Sequence, residues 1–240
     1  MKMAVISDIH GNLYALEAVL KDIESRGISN VYCTGDLVGY GPRPNEVIEL
    51  IKRNSIPTAM GNYDDVIGNM RFICGCDYKD EKDLRLGERS VAWTKENTSE
   101  ENKGWLRELP GEIRLSASGL KILLMHGSPR ALNEYLYENT AEDYLSELLA
   151  ESDADVLVCG HTHLPYVKRI PTGYVVNAGS AGKPKHGNPN VAYVTIEIDG
   201  AKELKAEIRE VSYTYEKTAG EIEGFGLPAE FAKIIRTGCA

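Results

Sequence analysis

The sequence predicts an α/β fold in which two mixed β-sheets pack face to face between outer helices, a four-layer αββα sandwich. In the first half of the chain, apolar strand-like runs alternate with helical segments, as in parallel strands joined by helices. After residue 163 the pattern changes to alternating strands linked by turns such as Asp199-Gly200. This change predicts that the second sheet is mostly antiparallel.

Helical periodicity supports the outer layers. A stripe on residues 12–26 is formed by Leu13, Leu16, Leu20 and Ile23, and residues 43–53 predict a second helix. We predict a single domain over residues 1–240, with a helical insertion or cap at about residues 65–112, where the composition is polar and no strand pattern occurs. Within this cap, Cys74-Gly75-Cys76 fits metal binding, a redox pair or a tight loop with incidental thiols, and we favour the loop.

Composition narrows the function classes. The 240 residues include 27 Lys and Arg and 36 Asp and Glu, a formal net charge of −9, which disfavours nucleic-acid binding by a broad basic surface. No apolar run approaches the ~20 residues that cross a membrane, and no signal-peptide pattern precedes the first strand. The odd number of cysteines, five, fits a reducing compartment, so we expect a cytoplasmic protein.

Polar residues with ligand chemistry follow five predicted strands, at residues 2–7, 31–34, 56–60, 122–125 and 155–159. Ligands of open α/β sheets bind at the carboxyl ends of the strands. Seven candidate ligands should therefore converge there: Asp8, His10, Asp36, Asn62, His126, His161 and His163. Four of the five histidines of the chain belong to this set, and scattered surface histidines would not sort in this way.

The chemistry of these seven residues predicts two metal ions. Seven nitrogen and oxygen ligands are too many for one tetrahedral zinc site, and they fill two larger sites if one carboxylate bridges. No cysteine belongs to the set, and mixed imidazole and carboxylate ligands suit Mn, Fe or Zn. We expect two divalent ions, with Mn favoured and Fe, Zn or Ni as alternatives.

The order of the motifs resembles that of the calcineurin-like metallophosphoesterases, in particular their small prokaryotic phosphodiesterase and phosphatase branch. The motifs are D-x-H, G-D, G-N-x-D, H-G and G-H-x-H, spanning Asp8 to His163. The resemblance implies the family's αββα fold and a bridging role for Asp36. It also implies two ligand groups, one of Asp8, His10 and His163 and the other of Asn62, His126 and His161.

The sequence departs from the family's pattern at Tyr63, where the family usually has a histidine that protonates the leaving group. A phenol with an ordinary pKa of about 10 is a poor general acid near neutral pH. Asp36, Asn62 and Tyr63 are the candidate catalytic residues. We expect Asn62 and Arg130 to stabilise charge on the phosphoryl oxygens, Tyr63 to hydrogen-bond the substrate and His186 to contact it as a spare proton donor.

The resemblance implies a metal-dependent phosphoric ester hydrolase that acts through a metal-bridging hydroxide. Its expected partner is a small phosphorylated substrate of the phosphodiester, phosphoanhydride or nucleotide type, with neither membrane nor nucleic acid expected. The alternative is a catalytically weak binding or regulatory module on the same fold, because Tyr63 replaces the usual acid. The sequence leaves the oligomeric state open.

Overall fold

The computed structural model describes residues 1–78, 80–200 and 203–239. The strands of the described chain are β1 (Lys2–Ile6), β2 (Val31–Cys33), β3 (Glu112–Ala117), β4 (Leu120–Met125), β5 (Val156–Cys159), β6 (Tyr166–Ile170), β7 (Gly173–Asn177), β8 (Val191–Ile198) and β9 (Leu204–Val211). Its helices are α1 (Leu13–Ser25), α2 (Pro44–Arg53), α3 (Asn62–Gly68), α4 (Glu81–Asn97), α5 (Glu100–Arg107), α6 (Glu142–Glu151), α7 (Tyr215–Gly224) and α8 (Ala229–Thr237). None of the described helices is long and apolar enough to cross a membrane.

The strands form two mixed sheets, which confirms the predicted fold class. The first sheet has the order β2-β1-β8-β9, with β1 parallel to β2 and antiparallel to β8. The second has the order β3-β4-β5-β7-β6, with β5 parallel to both β4 and β7. The parallel neighbours align their carboxyl ends at one edge of each sheet, where the candidate ligands follow.

Two sequence-based expectations about the strands are wrong. The strands after residue 163 do not form a sheet of their own, because β6 and β7 extend the sheet of β4 and β5 while β8 and β9 pair beside β1. Residues 56–60 contribute only an isolated bridge between Cys33 and Thr58, rather than a strand. Pro57 lies in this segment and lacks the N–H that a longer ladder requires.

Successive side chains of each strand point to opposite faces of its sheet, and each face packs against a different layer. Val5, Leu124 and Val158 point between the two sheets and belong to one buried cluster. The neighbours of Leu124, namely Leu123 and Met125, face the opposite way and pack with α6. On the outer side of the first sheet, alternate residues of β1 pack with α1 and α2. The result is the expected order of helix, sheet, sheet and helix.

The helical segment at residues 65–112 contains the end of α3 and the whole of α4 and α5. Helix α5 begins after Ser99, whose side chain accepts a hydrogen bond from Asn102 N. The C-terminal helices α7 and α8 pack against each other. The side chain of Arg43 binds Glu221 of α7 with Nη2–Oε1 at 2.7 Å, which attaches this pair to the start of α2.

Removing one buried side chain from between the sheets tests this packing. Leu124 is fully buried, so Leu124→Ala should lower the free energy of unfolding by about 2–5 kcal/mol. The matched control is Leu84→Ala, at an exposed position of α4, which should change the free energy of unfolding by no more than about 0.5 kcal/mol. Urea unfolding followed by circular dichroism measures both, and equal losses would contradict the assigned layers.

Candidate metal centre

Loops at the carboxyl ends of the strands bring the candidate ligands together. Asp8 lies just past β1, Asp36 past β2, and His126 immediately follows β4. The loop after β5 supplies two histidines, and Asn62 begins α3. All seven predicted ligands are buried: Asp8, His10, Asp36, Asn62, His126, His161 and His163.

The first of two clusters combines Asp8, His10 and His163. Nε2 of His10 lies 3.2 Å from Nε2 of His163. Oδ1 of Asp8 lies 3.2 Å from the same nitrogen of His163 and 3.6 Å from Nε2 of His10. Three ligand atoms therefore face one small space, in the grouping that the resemblance implied.

The second cluster combines Asp36, His126 and His161. Nε2 of His126 lies 3.1 Å from Nδ1 of His161, 3.4 Å from Oδ2 of Asp36 and 2.9 Å from Oδ1 of Asn62. The same Oδ2 of Asp36 lies 3.7 Å from Nε2 of His10 in the first cluster. Asp36 thus lies between the two groups, where a bridging ligand is required.

Backbone carbonyls fix the orientation of all four imidazoles. The outer ring nitrogens of His10, His126, His163 and His161 lie at 3.0, 3.0, 2.5 and 3.1 Å from the carbonyl oxygens of Val38, Thr34, Lys183 and Asn133, respectively. A carbonyl only accepts, so each outer nitrogen carries a hydrogen and donates it. The inner nitrogens then direct their remaining sites at each other, which is how imidazoles are held when they bind metal.

This arrangement fits cations. Two inner lone pairs at 3.1–3.2 Å repel each other unless a metal ion or a shared proton lies between them. One proton cannot also satisfy Oδ1 of Asp8, which is buried and accepts no hydrogen bond from the described residues. A divalent ion satisfies the carboxylate and both imidazoles together, and the nitrogen and oxygen donors suit Mn, Fe or Zn.

The electrostatics of the ligands match that role. Burial alone raises the pKa of Asp8, but the neighbouring His163 and His10 hold it well below its usual range. Burial and the charge of His126 lower the pKa of His161 to about 3, which keeps that imidazole neutral. Burial opposes the charged form of His126 too, but Asp36 raises its pKa to about 9. Binding of a cation at the second cluster therefore displaces a proton from His126.

Left-handed backbone is concentrated at the ligands. Positive φ angles occur at five of the seven candidates: Asp8 (51°), His10 (49°), Asp36 (56°), His161 (66°) and His163 (63°). Such conformations are uncommon outside glycine and cost free energy, and they cluster at functional sites. The sharp turn at residues 8–10 lets one short loop direct both Asp8 and His10 into the first cluster. The turn at residues 161–163 directs His161 into the second cluster and His163 into the first.

Asp64 organises the second cluster by holding the backbone around Asp36, although no role for Asp64 was predicted from the sequence. Its Oδ2 accepts hydrogen bonds from Asp36 N at 2.8 Å and Gly61 N at 3.0 Å, and its Oδ1 accepts one from Leu37 N at 2.9 Å. Burial, with the nearby charge of Asp36, raises the pKa of Asp64 to about 7. Its place as the last residue of G-N-x-D was the available signal. Gly61 is required here because a Cβ would lie 2.2 Å from Asp36 N.

The side-chain amide of Asn62 is held by the cap. Its Nδ2 donates to Cys74 O at 3.0 Å and lies 3.3 Å from Cys76 Sγ, in a loop where Cys74 and Cys76 form a disulfide. The favoured reading of these cysteines as incidental thiols is therefore wrong. Because Nδ2 is used in this way, Oδ1 is the atom that faces the second cluster. In this orientation the amide nitrogen faces the loop of Cys74 and Cys76, and the predicted charge-stabilising role of Asn62 stays a prediction.

Tyr63 packs beside the centre with its hydroxyl in the protein interior. Its ring lies 5.5 Å from that of His10 and occupies the space that a Cβ at Gly39 would fill, at 2.3 Å. The hydroxyl is buried and has no hydrogen-bond partner among the described residues. Burial raises the pKa of Tyr63 well above its usual value, so the phenol is an even weaker acid than the sequence indicates.

The two clusters open into a pocket of about 460 Å³. Its floor includes His10, Asp36 and His163, and Lys183 and Lys185 lie along one side. The walls are rich in aromatic and apolar side chains: Tyr40, Tyr63, Tyr78, Leu86, Tyr135, Tyr137, Leu164, Phe231 and Ile234. The residues of the predicted cap that line the pocket are Cys76, Asp77, Tyr78, Asp83, Leu86 and Gly87.

Two predicted substrate contacts lie elsewhere. Arg130 does not line this pocket, because its guanidinium is bound by α6, with Nη2 2.6 Å from Glu151 Oε1 and 3.2 Å from Glu147 Oε2. His186 lines a separate cavity beside Tyr166. Neither residue lines the pocket that contains the two clusters, and the predicted substrate contacts of Arg130 and His186 stay predictions.

Lys183 is a buried basic residue of this pocket. It is only 6% exposed, and its side-chain nitrogen lies 4.2 Å from the centre of the Tyr40 ring. Burial, together with the charge of Lys185, holds the pKa of Lys183 well below its usual range.

Comparison with known proteins identifies the class. The chain belongs to the calcineurin-like phosphoesterase superfamily, whose domain model matches residues 1–201. An uncharacterized protein of Methanocaldococcus jannaschii is 34% identical over 244 residues, covering 94% of this chain and 93% of that protein. The phosphodiesterase YfcE of Escherichia coli strain K12 is 28% identical over 191 residues, covering 79% of this chain and 84% of YfcE.

Solved structures agree with this assignment. A metallophosphoesterase from Sphaerobacter thermophilus superposes with a TM-score of 0.77 at 27% identity, covering 99% of both chains. A hypothetical protein from Pyrococcus horikoshii gives a TM-score of 0.82 at 26% identity, covering 100% of this chain and 99% of that one. The family resemblance and the fold class inferred from the sequence are both confirmed.

Removing the carboxylate of Asp64 tests its organising role. Asp64→Ala leaves three buried backbone N–H groups without their acceptor, so it should lower the free energy of unfolding by about 3 kcal/mol or more. The loosened Asp36 loop should also bind Mn²⁺ about 10- to 100-fold more weakly in calorimetric titration.

The neighbouring Asp65→Ala is the matched control. Asp65 forms an ion pair with Arg71 at 2.7 Å, and Arg71 is 61% exposed. Exposed pairs contribute little, so this variant should lose no more than about 1 kcal/mol and retain its metal affinity. Equal behaviour of the two variants would contradict the role assigned to Asp64.

Proposed function

We propose that this chain is a two-metal phosphoesterase that hydrolyses small phosphodiester, phosphoanhydride or nucleotide-type substrates. One observation carries the proposal: two buried ligand clusters share Asp36 and open into the same pocket. Membership of the phosphoesterase superfamily supports the reaction class. The metal we favour is Mn, with Fe, Zn or Ni as alternatives.

The residues of the centre have distinct tasks. Two divalent ions supply, when bound, polarisation of a phosphoryl oxygen and a water of lowered pKa. Asp8, His10 and His163 hold the first ion, and Asn62, His126 and His161 hold the second. Asp36 presents one oxygen toward both groups and thereby sets their separation.

The pocket selects for small substrates. Its volume of about 460 Å³ falls in the range of small-molecule sites. Tyr40, Tyr135 and Tyr137 among its walls offer faces on which an aryl group or a nucleobase can stack. The net charge of −9 opposes a long polyanionic nucleic acid, whereas two divalent ions against Asp8 and Asp36 attract a single phosphate group.

The second candidate function is a catalytically weak binding or regulatory module. It is favoured by the buried hydroxyl of Tyr63, which has no hydrogen-bond partner among the described residues and stands at the position of the family's acid. Six candidate ligands in two compact clusters, with Asn62 beside the second, favour the enzyme. The two readings differ in turnover and agree in metal binding, so assays of both properties separate them.

Metal removal and restoration provide the first test. Protein stripped with a chelator should lose hydrolysis of bis-p-nitrophenyl phosphate and regain it when Mn²⁺ is added. Asp36→Asn should abolish the restored activity, because it removes the carboxylate between the clusters. Calorimetric titration of the parent should give two Mn²⁺ per chain.

The control for Asp36→Asn is Asp65→Asn, which changes the same functional group on the outer side of α3. This control should regain activity with the parent's metal dependence. Two bound Mn²⁺ without turnover of diesters, nucleotides or phosphoanhydrides would replace the enzyme with the binding module.

The dependence of the rate on the leaving group tests the consequence of Tyr63. Without a side-chain acid, rates should fall steeply from p-nitrophenyl to alkyl esters. Tyr63→His should restore proton donation and accelerate alkyl leaving groups by about 100-fold or more relative to p-nitrophenolate.

Tyr63→Phe is the matched control, because it keeps the ring and lacks both the phenol and an acid. Its leaving-group dependence should equal that of the parent. A steeper dependence in Tyr63→Phe would mean that the phenol itself protonates the leaving oxygen. Rates with a series of aryl and alkyl methylphosphonate esters measure all three proteins.

A further inference from the structure

The backbone of Lys183 is fixed directly beside the first ligand cluster. Its carbonyl oxygen accepts the hydrogen bond of His163 Nδ1, and its backbone N–H donates to Ser180 Oγ at 2.7 Å. Ser180 Oγ in turn donates to the carbonyl of Asp8 at 2.7 Å. These hydrogen bonds therefore set the position of the Lys183 backbone relative to Asp8 and His163.

The ammonium of Lys183 has no anionic partner among the described residues. It forms a cation–π contact with Tyr40 at 4.2 Å and no salt bridge in the described part of the chain. The residue is 6% exposed and lines the pocket that contains the clusters. Burial disfavours the charged form of a lysine that has no anionic partner. An anionic group that enters the pocket would stabilise the protonated side chain of Lys183.

The surrounding carboxylates do not fill this role. Asp8 and Asp36 are the acidic groups of the ligand clusters and are engaged by the cations proposed there. Asp77 is exposed and Asp83 is half-buried, and both line the pocket without an ion pair to Lys183. Lys185 lines the same side as Lys183 and adds a second positive charge there.

We propose that Lys183 forms the second anion subsite of this pocket and binds the phosphoryl group next to the one that is attacked. The substrate class is then a phosphoanhydride, in which one oxygen bridges two phosphorus atoms. This inference rests on the proposed phosphoesterase function and narrows its substrates. Simple phosphodiesters have no second phosphoryl group and leave the subsite unfilled.

The chemistry of the leaving group leads to the same class of substrate, the phosphoanhydrides. In hydrolysis of a phosphoanhydride, water forms the new P–O bond while the bond from that phosphorus to the bridging oxygen breaks. The bridging oxygen keeps the electron pair and leaves on the second phosphate, and the proton of the water passes to solvent. Lys183 compensates the charge on that phosphate, so the step needs no acid in place of Tyr63.

Binding of two non-hydrolysable probes tests the subsite without turnover. Methylphosphonate carries one phosphoryl group, and methylenediphosphonate carries two. Each is titrated calorimetrically into parent and Lys183→Met protein at the same fixed free Mn²⁺ concentration. The variant should bind the diphosphonate about 10- to 100-fold more weakly, because one charge-assisted contact is lost, and methylphosphonate less than about threefold more weakly.

Lys121→Met is the matched control, because Lys121 is exposed on β4 and pairs with Asp153 at 2.6 Å. It should bind both probes as the parent does. Equal weakening of both probes by Lys183→Met would show a structural role and overturn the subsite, and so would unchanged binding of the diphosphonate. If Lys183→Met does not fold, Lys183→Gln keeps a polar side chain and is judged by the same criterion.

The outcome is separate from that of the proposed function. Loss of selectivity for the diphosphonate in Lys183→Met supports the subsite even if bis-p-nitrophenyl phosphate is not hydrolysed. Hydrolysis of that diester without any effect of Lys183 on diphosphonate binding supports the phosphoesterase and overturns the subsite.

Discussion

The candidate metal centre depends on the crowding of imidazole nitrogens and carboxylate oxygens at the edge of the two sheets. Four imidazoles donate their outer hydrogens to backbone carbonyls, so their inner nitrogens are directed toward one another beside two buried carboxylates. Nothing in an apolar interior offsets that concentration of lone pairs except cations or protons. Four backbone carbonyls therefore orient the imidazoles and are as necessary to the centre as the ligands themselves. They belong to Val38, Thr34, Lys183 and Asn133.

Positioning these groups requires unfavourable backbone conformations. Left-handed geometry at a non-glycine residue costs on the order of 1–3 kcal/mol, and five ligands adopt it. The cost is offset by the continuous cores on both sides of each sheet, in which β1, β4 and β5 are buried along most of their length. The loops that contain Asp8, Asp36, His126 and His161 each begin at the end of one of the strands β1, β2, β4 and β5, which fixes the start of each ligand-bearing segment.

The sequence was sufficient for those parts of the fold and centre that depend on local pattern. The seven ligands could be identified because each follows a recognisable turn, and the motif order indicated the grouping of Asp8, His10 and His163 that the geometry shows. Strand partners were not encoded locally, since an alternating strand such as β8 can extend either sheet. Its antiparallel pairing with β1 depends on contacts between residues almost 200 positions apart, such as Met3 with Ile196.

The positions of long side chains could also not be predicted from the sequence. Arg130 follows a ligand closely in sequence, but the carboxylates of α6 attract it away from the pocket. Lys183 lies in a loop that also contains Lys185, and its burial against Tyr40 depends on the whole fold. Asp64 binds only backbone N–H groups, so no sequence partner revealed its importance.

Helix α8 places Phe231 and Ile234 on the wall of the pocket, although both residues lie beyond the segment matched by the family model. The floor of the pocket and this part of its wall therefore lie in different parts of the chain. Substitutions in α8 can reshape the wall while every candidate metal ligand stays as it is.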